Sequence, residues 1–142
     1  MFYIASDHAG FKLKQSLIKW FKRCGFQYID CGANSFDSLD SYVDYGKLAV
    51  DKFEKLSKFG DKLVLICGSG VGMSIVANRN KNIRAVLAQS KSQVVMARKH
   101  NDVNCLCLGA RNTGLYKAKL LIKTFISTQF LGGKYLERLK NI

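Results

Sequence analysis

The chain has no proline among its 142 residues, and only 10 acidic residues stand against 23 basic ones. Without proline, a strong marker of helix ends and turns is missing, so element boundaries are predicted only to within a few residues. No apolar run is long enough to cross a bilayer, and Asp7 follows the first apolar residues too soon for a secretory signal. We therefore expect a cytoplasmic domain with no membrane partner.

The cysteines also lack the number and spacing typical of a disulfide framework or a zinc site. There are five of them, an odd number, and none forms a C-x-x-C pair: Cys24, Cys31, Cys67, Cys105 and Cys107. Neither a disulfide scaffold nor a zinc site is predicted, and we expect reduced thiols. Cys105 and Cys107 alternate within an apolar strand, which is typical of small buried hydrophobic residues. Only Cys67 is a candidate for chemistry.

The shortage of acidic residues gives a net charge of +13. A basic surface attracts phosphate, which raises nucleic acids and anionic small molecules as partners. The lysines and arginines are scattered from Lys12 to Lys140, however, without a compact basic tract or interleaved aromatic residues. We therefore predict a solvated lysine-rich surface and no nucleic-acid partner.

Strand and helix patterns alternate five times along the sequence. Leu63–Ile66 is a run of branched apolar residues, as expected for a strand buried on both faces. A helix over about residues 44–57 is predicted to bury Leu48, Ala49, Phe53 and Leu56. The alternation predicts an α/β fold, a single Rossmann-like α/β/α sandwich with a five-stranded parallel sheet over residues 1–142.

A glycine-rich turn, Gly68-Ser69-Gly70-Val71-Gly72, follows the central strand directly after Cys67. Its spacing is not that of a dinucleotide-binding loop, and no acidic residue ends the next strand to hold a ribose. Met73 stands where a Walker loop has lysine and where a cysteine phosphatase has arginine. The turn therefore predicts neither NAD nor nucleoside triphosphate binding.

Cys67 lies where a strand becomes a turn before a helix, a position that favours the thiolate. A thiolate beside backbone N–H groups suits proton abstraction next to a carbonyl, with the N–H groups holding the developing oxyanion. Asp7, His8 and Arg111 follow strands that end at the same edge of the sheet, which predicts one crevice. A structural cysteine at a tight turn is the alternative interpretation.

His100 follows a helix that runs antiparallel to the strands, so it should lie at the opposite edge from Cys67. If His100 is catalytic, it must act in the crevice of a neighbouring subunit, which implies a homodimer with shared sites. The alternative is an exposed histidine in an Asn-containing turn.

Several blocks, spread over nearly the whole chain, resemble the type B ribose-5-phosphate isomerases. They are Ser6–Gly10, Tyr42-x-Asp44-Tyr45, Cys67–Ser74, Ala77–Arg79, Ile83–Ala85, His100–Asp102, Leu108–Arg111 and Gly132-Gly133. The resemblance implies an isomerase without metal or other cofactor that interconverts ribose 5-phosphate and ribulose 5-phosphate through an enediolate. It also implies a homodimer or a dimer of dimers, with residues 132–142 on or near the partner subunit.

The resemblance assigns roles to individual residues. Cys67 matches the base that moves the proton between C2 and C1, Ser69 assists at the sugar hydroxyls, and His100 matches the ring-opening acid/base. The substrate-binding positions are Asp7, His8, Gly68, Gly70, Val71, Gly72, Asn101, Arg111, Lys134 and Arg138.

Four positions depart from the family pattern. Lys134 stands where many relatives have arginine, so it keeps the charge but loses the bidentate fork. Tyr135 replaces a common histidine, Val43 replaces a proline, and Ser69 stands where threonine is frequent.

Two alternatives stay open. The same chemistry fits a six-carbon substrate, allose or galactose 6-phosphate, because the sequence does not give the length of the pocket. A non-catalytic module that binds phosphosugars or nucleic acid is the other possibility.

Overall fold

The computed structural model describes all residues 1–142, and strands and helices alternate along the chain as the sequence pattern predicts. The strands are β1 (Phe2–Ser6), β2 (Tyr28–Asp30), β3 (Lys62–Cys67), β4 (Ala85–Leu87) and β5 (Cys105–Gly109). The helices are α1 (Phe11–Arg23), α2 (Tyr42–Leu56), α3 (Val71–Ala77), α4 (Lys91–Asn101), α5 (Leu115–Ser127) and α6 (Lys134–Leu139).

All five strands are parallel, in the spatial order β2-β1-β3-β5-β4. The central strand β3 pairs with β1 on one side and β5 on the other, so that Ile66 lies opposite Ser6 and Leu108. Residues 63–67 of β3 are buried, as expected for a strand covered on both faces. The predicted α/β sandwich with a five-stranded parallel sheet is confirmed.

Two apolar cores cover the two faces of the sheet. On one face, α1, α4 and α5 pack over β1, β3 and β5 and bury residues such as Phe21, Val94 and Phe125. On the other face, α2 and α3 bury Phe53, Met73 and the sulfur atoms of the β5 cysteines. Cys105 and Cys107 are fully buried, as expected from their alternation in the strand.

The prediction of which α2 side chains are buried was wrong in part. Leu48 and Leu56 are exposed, and the buried positions are instead Gly46, Ala49, Val50 and Phe53. A Cβ atom at Gly46 would lie 2.9 Å from Val76 Cγ1, so α2 approaches α3 closely along its small residues. This close approach turns the leucines of α2 outward.

No helix of the chain combines the length and apolar character that a membrane span requires. No three side chains among His, Cys, Asp and Glu gather closely enough to hold a metal ion.

Candidate active site

A cleft of about 400 Å³ opens at the edge of the sheet where β1 and β3 end. In open α/β sheets, ligands bind in the crevice outside the carboxyl ends of the strands. The cleft is lined by most of the sequence-predicted residues, namely Asp7, His8, Cys67, Gly68, Ser69, Val71, Gly72 and Arg111.

Cys67 is the last residue of β3, and its sulfur lies within the turn that follows. The Gly70 N–H donates a hydrogen bond to Cys67 Sγ over 3.1 Å, and Cys67 is 4% exposed. Gly70 has φ +82°, and a Cβ atom there would lie 2.9 Å from the carbonyl carbon of Leu108. Only glycine fits this conformation and this close approach, so the sequence itself fixes the turn against the thiol.

The turn carries N–H groups that are free to bind a ligand. Gly68, Ser69 and Gly72 donate no backbone hydrogen bond within the chain, although all three line the cleft. The Ser69 hydroxyl is exposed and accepts a hydrogen bond from the Val71 N–H over 3.2 Å. Successive unpaired N–H groups form a concavity that suits an oxyanion.

Two basic side chains line the cleft: Arg111, which follows β5, and His8, which follows β1. The Arg111 guanidinium packs on the backbone of Gly68, where an added Cβ atom would lie 3.1 Å from Cζ. His8 is partly exposed, and its Nδ1 lies 2.7 Å from Asp40 Oδ1. This hydrogen bond raises the pKa of His8 above its usual value and favours the imidazolium.

Asp7 is 5% exposed, and its carboxylate accepts a hydrogen bond from the Gly10 N–H over 2.9 Å. Burial raises the pKa of the Asp7 carboxyl, because its charged form loses hydration, and the Gly10 hydrogen bond opposes the rise. Asp7 therefore anchors the turn between β1 and α1 that presents His8 to the cleft.

Sequence analysis missed Asp40 as a residue of this site. Its carboxylate is almost buried and also accepts a hydrogen bond from the His8 backbone N–H over 2.9 Å. Asp40 lies 32 residues from His8, in a polar loop without periodicity, so no signal in the sequence connects the two. Tyr42 lines the cleft as well, and its ring covers Gly72, where a Cβ atom would lie 2.5 Å from Cε2.

The remaining predicted residues form a second group, at the opposite edge. His100, near the end of α4, stacks on Tyr135 of α6 with ring centroids 4.2 Å apart. Lys134 and Arg138 flank the same tyrosine ring at 5.4 and 5.6 Å, and Asn101 is the last residue of α4. β5 starts soon after α4 and ends beside Cys67, and a five-residue strand spans about 17 Å. Cys67 and His100 of one chain therefore do not meet.

Two larger cavities, of about 560 and 640 Å³, do not include Cys67 or His8. One contains the ion pair of Arg84 with Asp102, and the other opens beside β4. Neither holds a thiol or a histidine, so size does not identify the site in this protein.

The fold and the position of the cleft define the chain as a doubly wound α/β protein with a ligand crevice at the carboxyl edge of its sheet. Residues 2–142 match the family model described as Ribose/Galactose Isomerase, so the chain belongs to this family. A putative sugar phosphate isomerase of Rickettsia bellii is 40% identical over 98% of this chain and 94% of its own length. Ribose-5-phosphate isomerase B of Escherichia coli is 36% identical over 96% of this chain and 89% of its own.

The solved structures that are similar to this chain include ribose-5-phosphate isomerase B proteins. Ribose-5-phosphate isomerase B from Mycoplasma genitalium, crystallised with bound ribulose-5-phosphate, superposes with a TM-score of 0.92 at 36% identity. The match covers 99% of this chain and 91% of that one. The protein from Anaplasma phagocytophilum is 38% identical, with a TM-score of 0.90 over 99% of this chain and 94% of that one.

Proposed function

We propose that this protein is an aldose–ketose isomerase that interconverts ribose 5-phosphate and ribulose 5-phosphate. The observation that carries the proposal is the Cys67 thiol in the cleft, held by the Gly70 N–H beside unpaired N–H groups. Relatives named as ribose-5-phosphate isomerase B, one of them solved with ribulose-5-phosphate, support this substrate.

Cys67 is the base in the proposed reaction. Its thiolate takes the proton from C2 of the open-chain aldose, and the C–H electron pair forms the C1=C2 double bond while O1 becomes anionic. The free N–H groups of the turn donate to this enediolate oxygen, and Ser69 binds a neighbouring hydroxyl. The Cys67 thiol then returns the proton to C1, the O2 proton passes to O1, and the carbonyl forms at C2.

The charge of the cleft suits the phosphate end of the substrate. Arg111 and His8, whose raised pKa favours the imidazolium, add positive charge to the cleft that Cys67 also lines. Lys134 and Arg138, from the second group, complete the phosphate site. Lys134 contributes a point charge, without the paired N–H geometry that an arginine offers a phosphate.

Ring opening requires a second subunit in this mechanism. His100 of one chain passes a proton to the ring oxygen of a furanose bound in the cleft of the other, and Asn101 binds its hydroxyls. Exposed apolar side chains at the mouth of the cleft, Tyr42, Val71 and Ile75, suit a contact between two copies. A homodimer brings the two groups of residues together.

The test is ketose formation from ribose 5-phosphate by the purified protein, together with exchange of the C2 proton in deuterated water. We expect Cys67→Ala to abolish the exchange and to lower kcat at least about a hundredfold, as loss of a general base does. Cys24→Ala is the matched control, because Cys24 is exposed and lies outside the cleft. Exchange that survives in Cys67→Ala would refute the role of the thiol.

The same assay with allose 6-phosphate and galactose 6-phosphate tests the length of the substrate. A higher kcat/KM for either six-carbon sugar than for ribose 5-phosphate would overturn the assignment to a five-carbon substrate.

A further inference from the structure

One face of the molecule carries basic side chains without any acidic side chain among them. The helices α1, α4 and α5 cover the same side of the sheet, and α5 contacts both of the others. Nine lysines and arginines on these helices reach the surface, four on α1, three on α5 and two on α4. Exposed examples are Lys19 and Lys22 of α1, Lys123 of α5 and Lys91 of α4. We call the outer surface of these three helices the basic face.

The acidic residues lie elsewhere. Three are on α2, on the opposite side of the sheet, and Glu137 is on α6, where it pairs with Lys140. The other six lie at strand ends and in loops, and Asp102, beside the end of α4, is engaged by Arg84 and Arg98. The fold thus brings together basic residues that are scattered along the sequence, so their order in the chain does not reveal this face.

The basic face is large and spread out. A 13-residue helix such as α1 is about 20 Å long, and three packed helices are about 30 Å wide. Cations distributed over such an area do not converge on one small anion. Duplex nucleic acid, with one negative charge per about 1.7 Å of its axis, matches this spread. The face as a whole does not match a second copy, because a symmetric contact would oppose two identical positive surfaces, and the contact proposed for ring opening uses only the end of α4.

Most apolar side chains of the three helices point into the protein core, but Met96 of α4 and Tyr116, Leu120 and Ile126 of α5 are exposed. α1, which carries four of the nine cations, exposes no large apolar side chain and so lacks the surface of a membrane-binding helix. An interfacial helix must bury an apolar face among lipids, but Leu17, Val94 and Ile122 pack in the protein core with residues of the sheet. The outward positions of α1 are polar, with lysines at 12, 19 and 22 and Gln15 and Ser16 between them. Phosphate contacts need no apolar surface.

We infer that the basic face binds the phosphate backbone of nucleic acid, without sequence specificity, as an activity separate from the cleft. The exposed lysines and Arg23 of this face suit contacts to phosphate, which carry no sequence information. The inference departs from our expectation of no nucleic-acid partner, which rested on the order of the residues along the chain, and the experiment below decides between the two.

Binding of a fluorescently labelled 20-base-pair duplex, measured by anisotropy between 50 and 200 mM salt, tests the inference. The test variant is the triple substitution Lys19→Glu, Lys22→Glu and Lys123→Glu. The control is Lys55→Glu, Lys58→Glu and Lys81→Glu, at exposed positions outside the basic face. Both variants carry the same net charge, so a difference between them reports position.

We expect the wild-type protein to bind more weakly as salt rises, with a log–log slope of about −0.9 for each phosphate contacted. The basic-face variant should bind more than tenfold more weakly at 50 mM salt, with a slope shallower by about 2.7, because three contacts are lost. The control should keep most of the affinity and the slope. Isomerase activity, which depends on the cleft, should be unchanged in both variants.

Equal weakening in the two variants would overturn the inference, because net charge alone would then explain binding. Absence of duplex binding at 50 mM salt would overturn it too, as would retention on anionic phospholipid vesicles without duplex binding. Should the glutamate variant not fold, the same three lysines changed to glutamine remove the contacts without adding repulsion, and the slope must still become shallower.

Discussion

At the scale of single residues, the charge of His8 is set by a carboxylate that sequence analysis did not find. Asp40 Oδ1 accepts hydrogen bonds from both the backbone N–H and the ring of His8, while Oδ2 is buried without a partner. The raised pKa of His8 means that the imidazolium persists to higher pH than in a free histidine. In the proposed reaction, His8 therefore keeps its attraction for the substrate phosphate until the pH exceeds this raised pKa.

Replacing Asp40 with asparagine should remove the carboxylate that stabilises the imidazolium of His8. The pKa of His8 should then fall toward its ordinary value of about 6.5, so the loss of phosphate binding should begin at lower pH. We expect KM for ribose 5-phosphate to begin its rise with pH at a lower pH than in the wild type, with kcat little changed and with KM close to that of the wild type near pH 5.5. The measurement is a pH profile of KM and kcat for both proteins.

Asp37→Asn is the matched control for this substitution. Asp37 lies in the same loop and accepts a hydrogen bond from the Leu39 N–H, but it does not contact His8. A change in KM that is equal at every pH in Asp40→Asn, or a similar change in Asp37→Asn, would assign Asp40 to loop structure alone.

At the scale of elements, α4 shows how local sequence fixes a helix that carries a proposed functional group. Ser90 and Gln93 form a capping box: the Ser90 hydroxyl accepts from the Gln93 N–H, and the Gln93 side chain accepts from the Ser90 N–H. These contacts satisfy backbone N–H groups at the helix start that have no partner within the helix. They begin the helix that ends with His100 and Asn101.

Ser90→Ala should lower the free energy of unfolding by about 1 kcal/mol, because the cap of the first turn is lost. Ser92→Ala, two residues further on, removes a hydroxyl that lies 2.9 Å from Ser90 Oγ but leaves the capping-box bonds of Ser90 and Gln93 to the backbone in place, so stability should change by less than about 0.5 kcal/mol. Urea denaturation with an unchanged m-value would check both. A loss in Ser92→Ala as large as in Ser90→Ala would show that the cap does not anchor α4.

Elements governed by local pattern were predictable, and those governed by tertiary contact were not. The apolar run of β3 and the glycine turn are recognisable in the sequence, and the parallel order of the strands brings Asp7, His8 and Cys67 into one cleft. Which side chains of α2 are buried depends instead on how closely Gly46 approaches α3, and the spacing of residues in the sequence does not reveal this. The Asp40–His8 contact joins two loops that meet only in the folded chain.

At the scale of the whole molecule, the proposed active site is divided. Cys67 and Arg111 lie at the carboxyl edge of the sheet, and His100, Lys134 and Arg138 lie together beyond the other end of β5. If two copies share their sites, each cleft takes its thiol from one chain and its ring-opening histidine from the other. A variant lacking one group can then be complemented by a variant lacking the other.

Mixing Cys67→Ala with His100→Ala, each nearly inactive on closed-ring ribose 5-phosphate, should therefore restore activity. After equal amounts are unfolded together and refolded, about half of the dimers contain one chain of each kind, and each such dimer has one intact site and one that lacks both groups. The mixture should reach about a quarter of wild-type activity. The control is Cys67→Ala mixed with the double variant Cys67→Ala, His100→Ala, which offers no intact site. Recovery no greater than in this control, in a mixture that sedimentation shows to be dimeric, would mean that His100 does not act in the cleft of a second copy.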